Sequence, residues 1–123
     1  MPRPSARRQA LDALYRTLQL PGEPLPETGL GSRARRLVEG VLAHAGELDQ
    51  ALGEVSQGWR VERMPPIDRS ILRLALYELR YLKEVPKAVV ISEAVKLAKR
   101  YSTGDSGTFV NGVLATLEAQ ERT

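Results

Sequence analysis

The stretch between Ile67 and Leu82 constrains the fold of this chain more than any other part of the sequence. Read at 3.6 residues per turn, its apolar side chains cover most of a helix circumference and leave only a narrow charged stripe. Arg69, Arg73 and Arg80 form that stripe. A helix that is apolar on nearly all sides must be surrounded by other helices. We therefore predict that this helix stands at the centre of an all-helical domain.

The rest of the chain also shows helical periodicity and none of the period-two alternation of a strand. Ser5 is placed to cap a first helix that runs to about Leu20. Ser32 is placed to cap the second helix, which we expect Gly46 to end. The other apolar stripes lie at about 48–57, 91–101 and 109–117. The pattern predicts an all-α protein of about six helices in one domain, residues 1–123.

Three local features carry further predictions. Residues 21–31 contain three prolines, which favours an extended, mobile linker between the first and second helices. Gly112 interrupts the last helix, and we expect its backbone to approach a neighbouring helix closely. Glu78 shares a face of the central helix with Ile71 and Leu74. Because a buried carboxylate is costly without donors, we expect an arginine or backbone N–H groups to satisfy it.

Composition excludes several classes of function. Cysteine is absent and histidine occurs once, which removes disulfides and thiolate sites and argues against His-based triads and multi-histidine metal sites. We expect no catalytic residues, no metal and no cofactor. The chain is 42% hydrophobic and 27% charged, and no window approaches the roughly 18 apolar residues of a membrane span. We therefore expect a cytoplasmic protein with no membrane partner.

Charge is unevenly distributed along the chain. Residues 1–20 carry four arginines against one acid, a net charge of +3, and residues 83–101 carry five basic residues against two acids, again +3. Residues 47–68 carry five acids against two arginines, a net charge of −3. This pattern indicates one surface for a polyanion and a different surface for a protein. The alternative is solvated charge scattered over helix exteriors, and charge alone leaves both open.

Candidate RNA contacts lie at the N-terminus and near the last two helices. Arg7 and Arg8 occupy the first turn of a helix, beside Arg3 in an N-terminal arm. Positive side chains oppose the helix dipole there, and a phosphate would compensate. Lys99 belongs to the basic face of the fifth helix. Phe109 is the only phenylalanine and suits base stacking, but it also falls on the apolar stripe of its helix, so a core role stays open.

Three blocks of sequence resemble the NusB family of bacterial transcription antitermination and ribosomal-RNA processing factors. The blocks are residues 6–15 with Arg7-Arg8 and Ala13-Leu14-Tyr15, residues 59–79 with Asp68-Arg69 and Tyr77-Glu78-Leu79, and residues 85–114 with Ile91-Ser92-Glu93-Ala94 and Phe109-Val110-Asn111-Gly112. Their order and spacing carry the resemblance. It implies a helical fold of two small bundles packed at a steep angle around the central helix.

The resemblance also implies a function without catalysis. Family members bind the single-stranded boxA element of nascent RNA together with NusE, the small-subunit ribosomal protein, within the transcription elongation complex. This helps RNA polymerase resist termination, notably on ribosomal RNA operons. By position, the residues that would face RNA are Arg7, Arg8, Asp105, Ser106 and Phe109. Those that would face NusE are Tyr15 and Asp68. Members occur as monomers and as dimers, so a homodimer stays open.

The chain departs from the family pattern in two places. Residues 21–31 are proline-rich where the family has more helical sequence, which implies a shortened or lost helix. Ser92 replaces the usual asparagine of an Ile-Asn-Glu-Ala motif, which implies a change in one buried hydrogen bond. Two other functions remain as alternatives. One is a stand-alone relative of the NusB-like module that precedes certain RNA cytosine-5 methyltransferases, and the other is a helical adaptor that binds protein only.

Overall fold

The computed structural model describes residues 5–26, 29–56 and 60–121. Arg3, one of the predicted RNA contacts, lies outside the described residues. Within them the chain forms six α-helices and no strand, which confirms the predicted all-α class. The helices are α1 (Ala6–Gln19), α2 (Ser32–Ala43), α3 (Ala45–Val55), α4 (Pro66–Tyr81), α5 (Lys87–Tyr101) and α6 (Ser106–Glu121), with a short 3₁₀ helix (Val61–Arg63) before α4.

The helix α4 is the central element, as the sequence predicts, and it packs against each of the other five α-helices. Pro66 opens it at a position where no backbone donor is needed. Its fully buried aliphatic side chains are Ile71, Leu72, Leu74, Leu76 and Leu79. Removing each such side chain from water is worth roughly 1.5–3 kcal/mol. The apolar circumference of α4 is therefore the main reason why the other helices surround it.

The remaining helices pack in pairs around α4. The helix α1 packs against α2, and α5 packs against α6, while α3 contacts both α4 and α6. One contiguous hydrophobic core receives side chains from all six, among them Leu14, Val38, Leu52, Leu76, Val90 and Leu114. This arrangement brings the end of α5 and the start of α6 next to the start of α4.

The capping predictions for α1 and α2 have different outcomes. Ser5 caps α1 as predicted, because its Oγ accepts a 3.1 Å hydrogen bond from the backbone N–H of Arg8. The prediction for Ser32 is wrong. Ser32 is the first residue of α2, and Gly31 occupies the N-cap position without a side chain to accept a hydrogen bond.

The corner between α2 and α3 lies at His44 and not at Gly46, which corrects a second prediction. The backbone N–H of His44 donates to the carbonyls of Gly40 and Val41, each at 3.2 Å. Its ring stacks on that of Tyr81, with the centroids 4.3 Å apart. Gly46 lies inside α3 and does not have a positive φ. A contact between helices therefore positions a corner that the local sequence does not signal.

The linker between α1 and α2 is not helical in its described residues, as the prolines predict. It is attached to the rest of the protein at several points. Leu25 and Leu30 pack against the core, and the backbone N–H of Gly31 donates to Oε1 of Gln9 at 2.9 Å. The linker and α1 border an open cavity of about 400 Å³. These contacts hold the linker along α1.

Close helix approach occurs at Gly40 and not at Gly112, where it was expected. A Cβ atom on Gly112 would meet no other atom within 4 Å. A Cβ atom on Gly40 of α2 would lie 2.2 Å from both Cζ and Oη of Tyr77 in α4. Gly40 therefore gives the ring of Tyr77 room against the backbone of α2.

Candidate nucleic-acid interface

A carboxylate from α4 positions the turn between α5 and α6 (residues 102–105). Asp68 is only 3% exposed. Its Oδ1 accepts a 2.5 Å hydrogen bond from Oγ of Ser102, and its Oδ2 accepts one of 3.0 Å from Oγ of Ser106. The two hydroxyl oxygens lie 2.9 Å apart. Because a buried carboxylate needs donors for its oxygens, this network ties the α5–α6 turn to the start of α4.

The network corrects the expected orientation of two candidate side chains. The carboxylate of Asp68, which the family resemblance places towards NusE, points inward and is occupied by hydroxyl donors. The hydroxyl of Ser106 is buried in the same network and not turned towards solvent. Both side chains therefore hold the α5–α6 turn in position.

A cavity of about 250 Å³ lies beside this network. It is lined by Pro65, Asp68, Thr103, Asp105, Ser106 and Phe109. The structure thus brings together three residues predicted to face RNA and one predicted to face NusE. Asp105 is exposed at the start of α6, whereas Phe109 is half-buried and packs against the core while bordering the cavity. The core role of Phe109 is therefore confirmed in part, and base stacking on its cavity side stays a prediction.

Three cations surround the α5–α6 turn. Lys99 is exposed, and its stem packs against the first turn of α6, where a Cβ on Gly107 would lie 3.0 Å from Lys99 Cγ. Arg8 and Arg100 both lie over the ring of Tyr101, each with Cζ 5.6 Å from the ring centroid. Among the described residues, no carboxylate forms an ion pair with any of these three cations.

Arg7, which was also expected to face RNA, has a partner in the interior. Its Nε and Nη2 atoms donate to the carboxylate of Glu78 at 2.8 to 3.1 Å, and Glu78 is 2% exposed. This pair confirms the prediction that an arginine satisfies Glu78. Loss of one member of a buried ion pair leaves an uncompensated charge and costs about 3–5 kcal/mol. Arg7 therefore holds α1 against α4.

The acids of segment 47–68 divide into two groups: Asp49 and Asp68 bind partners within the fold, whereas Glu47, Glu54 and Glu62 are exposed. Arg69 and Arg73 bind Asp49 of α3 at 3.0 and 2.5 Å. Burial raises the pKa of the Asp49 carboxyl, but the hydrogen bonds and charges of Arg73 and Arg69 outweigh it, so the pKa lies below its usual 3.8. The third arginine of the α4 stripe is Arg80, and its Nη1 lies 3.6 Å from Oε2 of Glu47. The charged stripe of α4 thus faces acids of α3.

The remaining candidates differ in how far the sequence signals them. Tyr15 is 37% exposed on α1, so its assignment to a partner surface stays a prediction. Sequence reasoning missed Ser102, because it meets Asp68 across 34 residues of chain and has no local pattern. It also missed Tyr101 as a site residue, although the adjacent Lys99 and Arg100 were a signal.

Two other classes of site are absent from the described part of the chain. In it, no group of three or more histidine, aspartate or glutamate side chains is arranged to hold a metal ion. None of the helices in residues 5–26, 29–56 and 60–121 is both long and apolar enough to cross a bilayer. What the geometry provides is a cavity with one aromatic wall and an exposed carboxylate, and three cations around the end of α5, just before the turn that lines the cavity.

Comparison with known proteins identifies the family of the chain. The sequence pattern of the NusB family matches residues 4–119. The chain belongs to the NusB family. A transcription antitermination protein NusB from Acidothermus cellulolyticus is 46% identical over 130 residues, which cover 98% of this chain and 90% of that protein.

Solved structures of NusB-family proteins have the same fold as this chain. NusB of T. maritima has a TM-score of 0.86 at 31% identity and covers 99% of this chain and 96% of its own. A chain from a crystal structure of the antitermination factors NusB and NusE in complex with dsRNA has a TM-score of 0.80 at 28% identity, with 94% of both chains covered.

One departure from the NusB-family pattern has a smaller effect than expected. Ser92 stands where the family motif has asparagine, and a change in a buried hydrogen bond was predicted there. Ser92 is exposed on α5, and its side chain makes no hydrogen bond with the described residues. The substitution therefore falls on the surface of α5.

Proposed function

We propose that this protein is a transcription antitermination factor that binds single-stranded boxA-type RNA of nascent transcripts together with NusE. The observation that carries the proposal is the placement of Arg8, Lys99 and Arg100 around the end of α5, which leads directly into the turn whose residues Thr103 and Asp105 line the cavity bordered by Phe109. Cations that track a phosphate backbone and an aromatic ring that stacks on a base are the usual elements of single-strand binding. The relatives named as antitermination proteins support this proposal over the methyltransferase-module alternative.

Each residue of the site has a distinct proposed role. Arg8 and Lys99 contact the phosphate backbone, and Arg3 in the N-terminal arm adds a further cation. A base stacks on the part of Phe109 that borders the cavity, and Asp105 accepts a hydrogen bond from a base or sugar at the start of α6. Ser106 and Asp68 keep the α5–α6 turn in position, while the N–H groups of Arg7 not used by Glu78 are left for RNA.

NusE is proposed to bind at a surface that includes Tyr15 and the turn held by Asp68. When two ligands bind one protein with positive coupling, each raises the affinity of the other by the same factor. NusE should therefore strengthen RNA binding, and RNA should strengthen NusE binding. In this proposal the protein acts by binding alone, in the cytoplasm, as part of the transcription elongation complex.

The proposal is tested by fluorescence anisotropy of a labelled boxA-type RNA, with a scrambled RNA of equal length and composition as control. We expect tighter binding of the boxA-type RNA, and a further gain when NusE is added. Phe109→Leu should weaken RNA binding by roughly 5- to 150-fold, the loss of one stacked base, and thermal unfolding of the variant measures the separate loss of packing against the core. Equal affinity for both RNAs, with and without NusE, would reject the proposal in favour of a protein-only adaptor.

A further inference from the structure

The ring of Tyr101, the last residue of α5, holds two guanidinium groups at the surface. Arg8 comes from the first turn of α1 and Arg100 from α5 itself, and each Cζ lies 5.6 Å from the ring centroid. An arginine over an aromatic face gains about 0.5–1 kcal/mol at an exposed site. The hydroxyl of Tyr101 is buried and has no hydrogen-bond partner among the described residues. The ring face, and not the hydroxyl, therefore positions the two arginines.

This cluster has an excess of positive charge. In the described part of the chain neither Arg8 nor Arg100 forms an ion pair, whereas Arg7, one residue away from Arg8, does. The N-terminus of α1 adds the positive end of a helix dipole next to Arg8. Because each Cζ lies 5.6 Å from one centroid, the two positive charges are within about 11 Å of each other and repel, and an anion that binds both would reduce that repulsion.

The geometry points to Arg8, Tyr101 and Arg100 as a clamp for a phosphate of the RNA backbone, an inference that rests on the proposed RNA-binding function and extends its site. We call these three residues the arginine clamp. Arg100 contacts the phosphate directly together with Arg8, and Tyr101 is a positioning residue that keeps both planar groups in place. A guanidinium group offers two parallel N–H donors to phosphate oxygens, which an ammonium group cannot do.

The clamp also fits the neighbouring parts of the site. Ser102 follows Tyr101 directly and is held by Asp68, so the clamp and the α5–α6 turn share one support. The stem of Lys99 packs against the start of α6 at Gly107. The end of α5 that carries Lys99, Arg100 and Tyr101 thus leads directly into the turn whose residues line the cavity at Phe109. The alternative is that both arginines are only solvated and contribute nothing to binding.

The test measures the affinity for a labelled boxA-type RNA between roughly 50 and 200 mM salt for wild type and Arg100→Gln. The matched control is Lys83→Gln, which removes one charge from an exposed residue in the turn after α4 that forms no hydrogen bond or ion pair with the described residues. We expect Arg100→Gln to weaken binding roughly tenfold and to lower the slope of log affinity against log salt by about 0.7, the value for one phosphate on a single strand. Lys83→Gln should change the affinity and the salt slope by less than half as much as Arg100→Gln.

Variants of Tyr101 separate positioning from charge. Tyr101→Leu removes the ring and should weaken RNA binding several-fold although both arginines remain. Tyr101→Phe keeps the ring face and should restore most of that loss, because the hydroxyl has no partner among the described residues. Thermal unfolding of each variant identifies loss of fold, and Arg100→Gln decides the matter if Tyr101→Leu is unstable.

The outcomes distinguish this inference from the function on which it rests. If wild type binds boxA-type RNA selectively but Arg100→Gln matches Lys83→Gln in affinity and salt slope, the clamp is wrong and the proposed function stands. If wild type shows no selective RNA binding with or without NusE, the proposed function fails and the clamp fails with it.

Discussion

The interior around α4 and the surface around the α5–α6 turn use positive charge in opposite ways. In the interior, Arg7 is neutralised by Glu78, and the stripe of α4 is neutralised by acids of α3. At the turn, Arg8 and Arg100 have an aromatic ring and solvent, and no carboxylate from the described residues. A buried charge must be compensated within the fold, whereas an exposed charge is stable in water and stays available to a ligand. Only the second region has positive charge to offer to a polyanion.

The two neighbours Arg7 and Arg8 show how small the difference in sequence is. Consecutive residues on an α-helix point about 100° apart, so one faces Glu78 on α4 and the other faces Tyr101 on α5. The motif of adjacent arginines therefore combines a residue that holds the fold together with one that our proposal assigns to RNA. Treating the pair as a single RNA-binding unit would assign to RNA an energy that belongs to folding.

The largest expected effect separates these two arginines directly. Arg7→Ala should lower the free energy of unfolding by about 3–5 kcal/mol, because it leaves Glu78 buried without a partner. Arg8→Ala should lower it by no more than about 1 kcal/mol, the cation–π contact with Tyr101. Urea unfolding of both variants measures the difference. Similar losses in the two variants would show that the contrast between interior and surface is wrong.

A second pair of variants compares a glycine that packs against another helix with a glycine that has open space around it. Gly40→Ala places a methyl group against the ring of Tyr77 and should destabilise the protein by about 1–3 kcal/mol. Gly112→Ala has open space and should stabilise it by up to about 1 kcal/mol through helix propensity. Thermal and urea unfolding of both variants give the signs. A destabilising Gly112→Ala would contradict the open surroundings of that residue.

The smallest expected effect depends on pH. Asp49→Asn weakens the charge-assisted hydrogen bonds with Arg69 and Arg73 and should lower stability by about 1–2 kcal/mol near pH 7. Because the folded-state pKa of Asp49 is lowered, its contribution is present above the unfolded pKa near 3.9 and is lost as pH falls through the folded value. The stability difference between wild type and variant should therefore shrink below about pH 4.

A matched control for this pH dependence lies on the same helix. Glu54 is exposed on α3 and contacts no described arginine or lysine, so Glu54→Gln should leave stability nearly unchanged across the same range. Unfolding is measured from about pH 3 to pH 7 for all three proteins. A loss in Asp49→Asn that persists at the acid end would mean that packing, and not the ion pair, accounts for it.

Much of the fold followed from local pattern, and the errors share one cause. Apolar periodicity identified the helices and the central position of α4, because burial demands that periodicity wherever the chain folds. Ser5 was predictable as a cap because its partner, the backbone N–H of Arg8, is three residues away. The corner at His44 was not predictable from local sequence, because the ring of His44 stacks on Tyr81 of another helix.

Some features of the candidate site also follow from the sequence, and others depend on how the helices pack. Positive charge in the N-terminal segment and near α5, and the candidate ring of Phe109, could be found by inspection of the sequence, supported by the family resemblance. Two other features could not be found in this way. Arg7 pairs with the carboxylate of Glu78, 71 residues away, and Asp68 points inward to Ser102, 34 residues away. Which side chains share a cavity depends on how the helices pack.

The amino-acid sequence by itself determined that this protein is all-helical, that α4 is buried, and that basic residues collect near α1 and α5. Those properties depend on residue spacing and composition, which act locally. Only the tertiary structure decided which arginines are neutralised and which remain available. Neutralisation needs a carboxylate within a few ångströms, and helix packing brings Glu78 to Arg7 but no described carboxylate to Arg8.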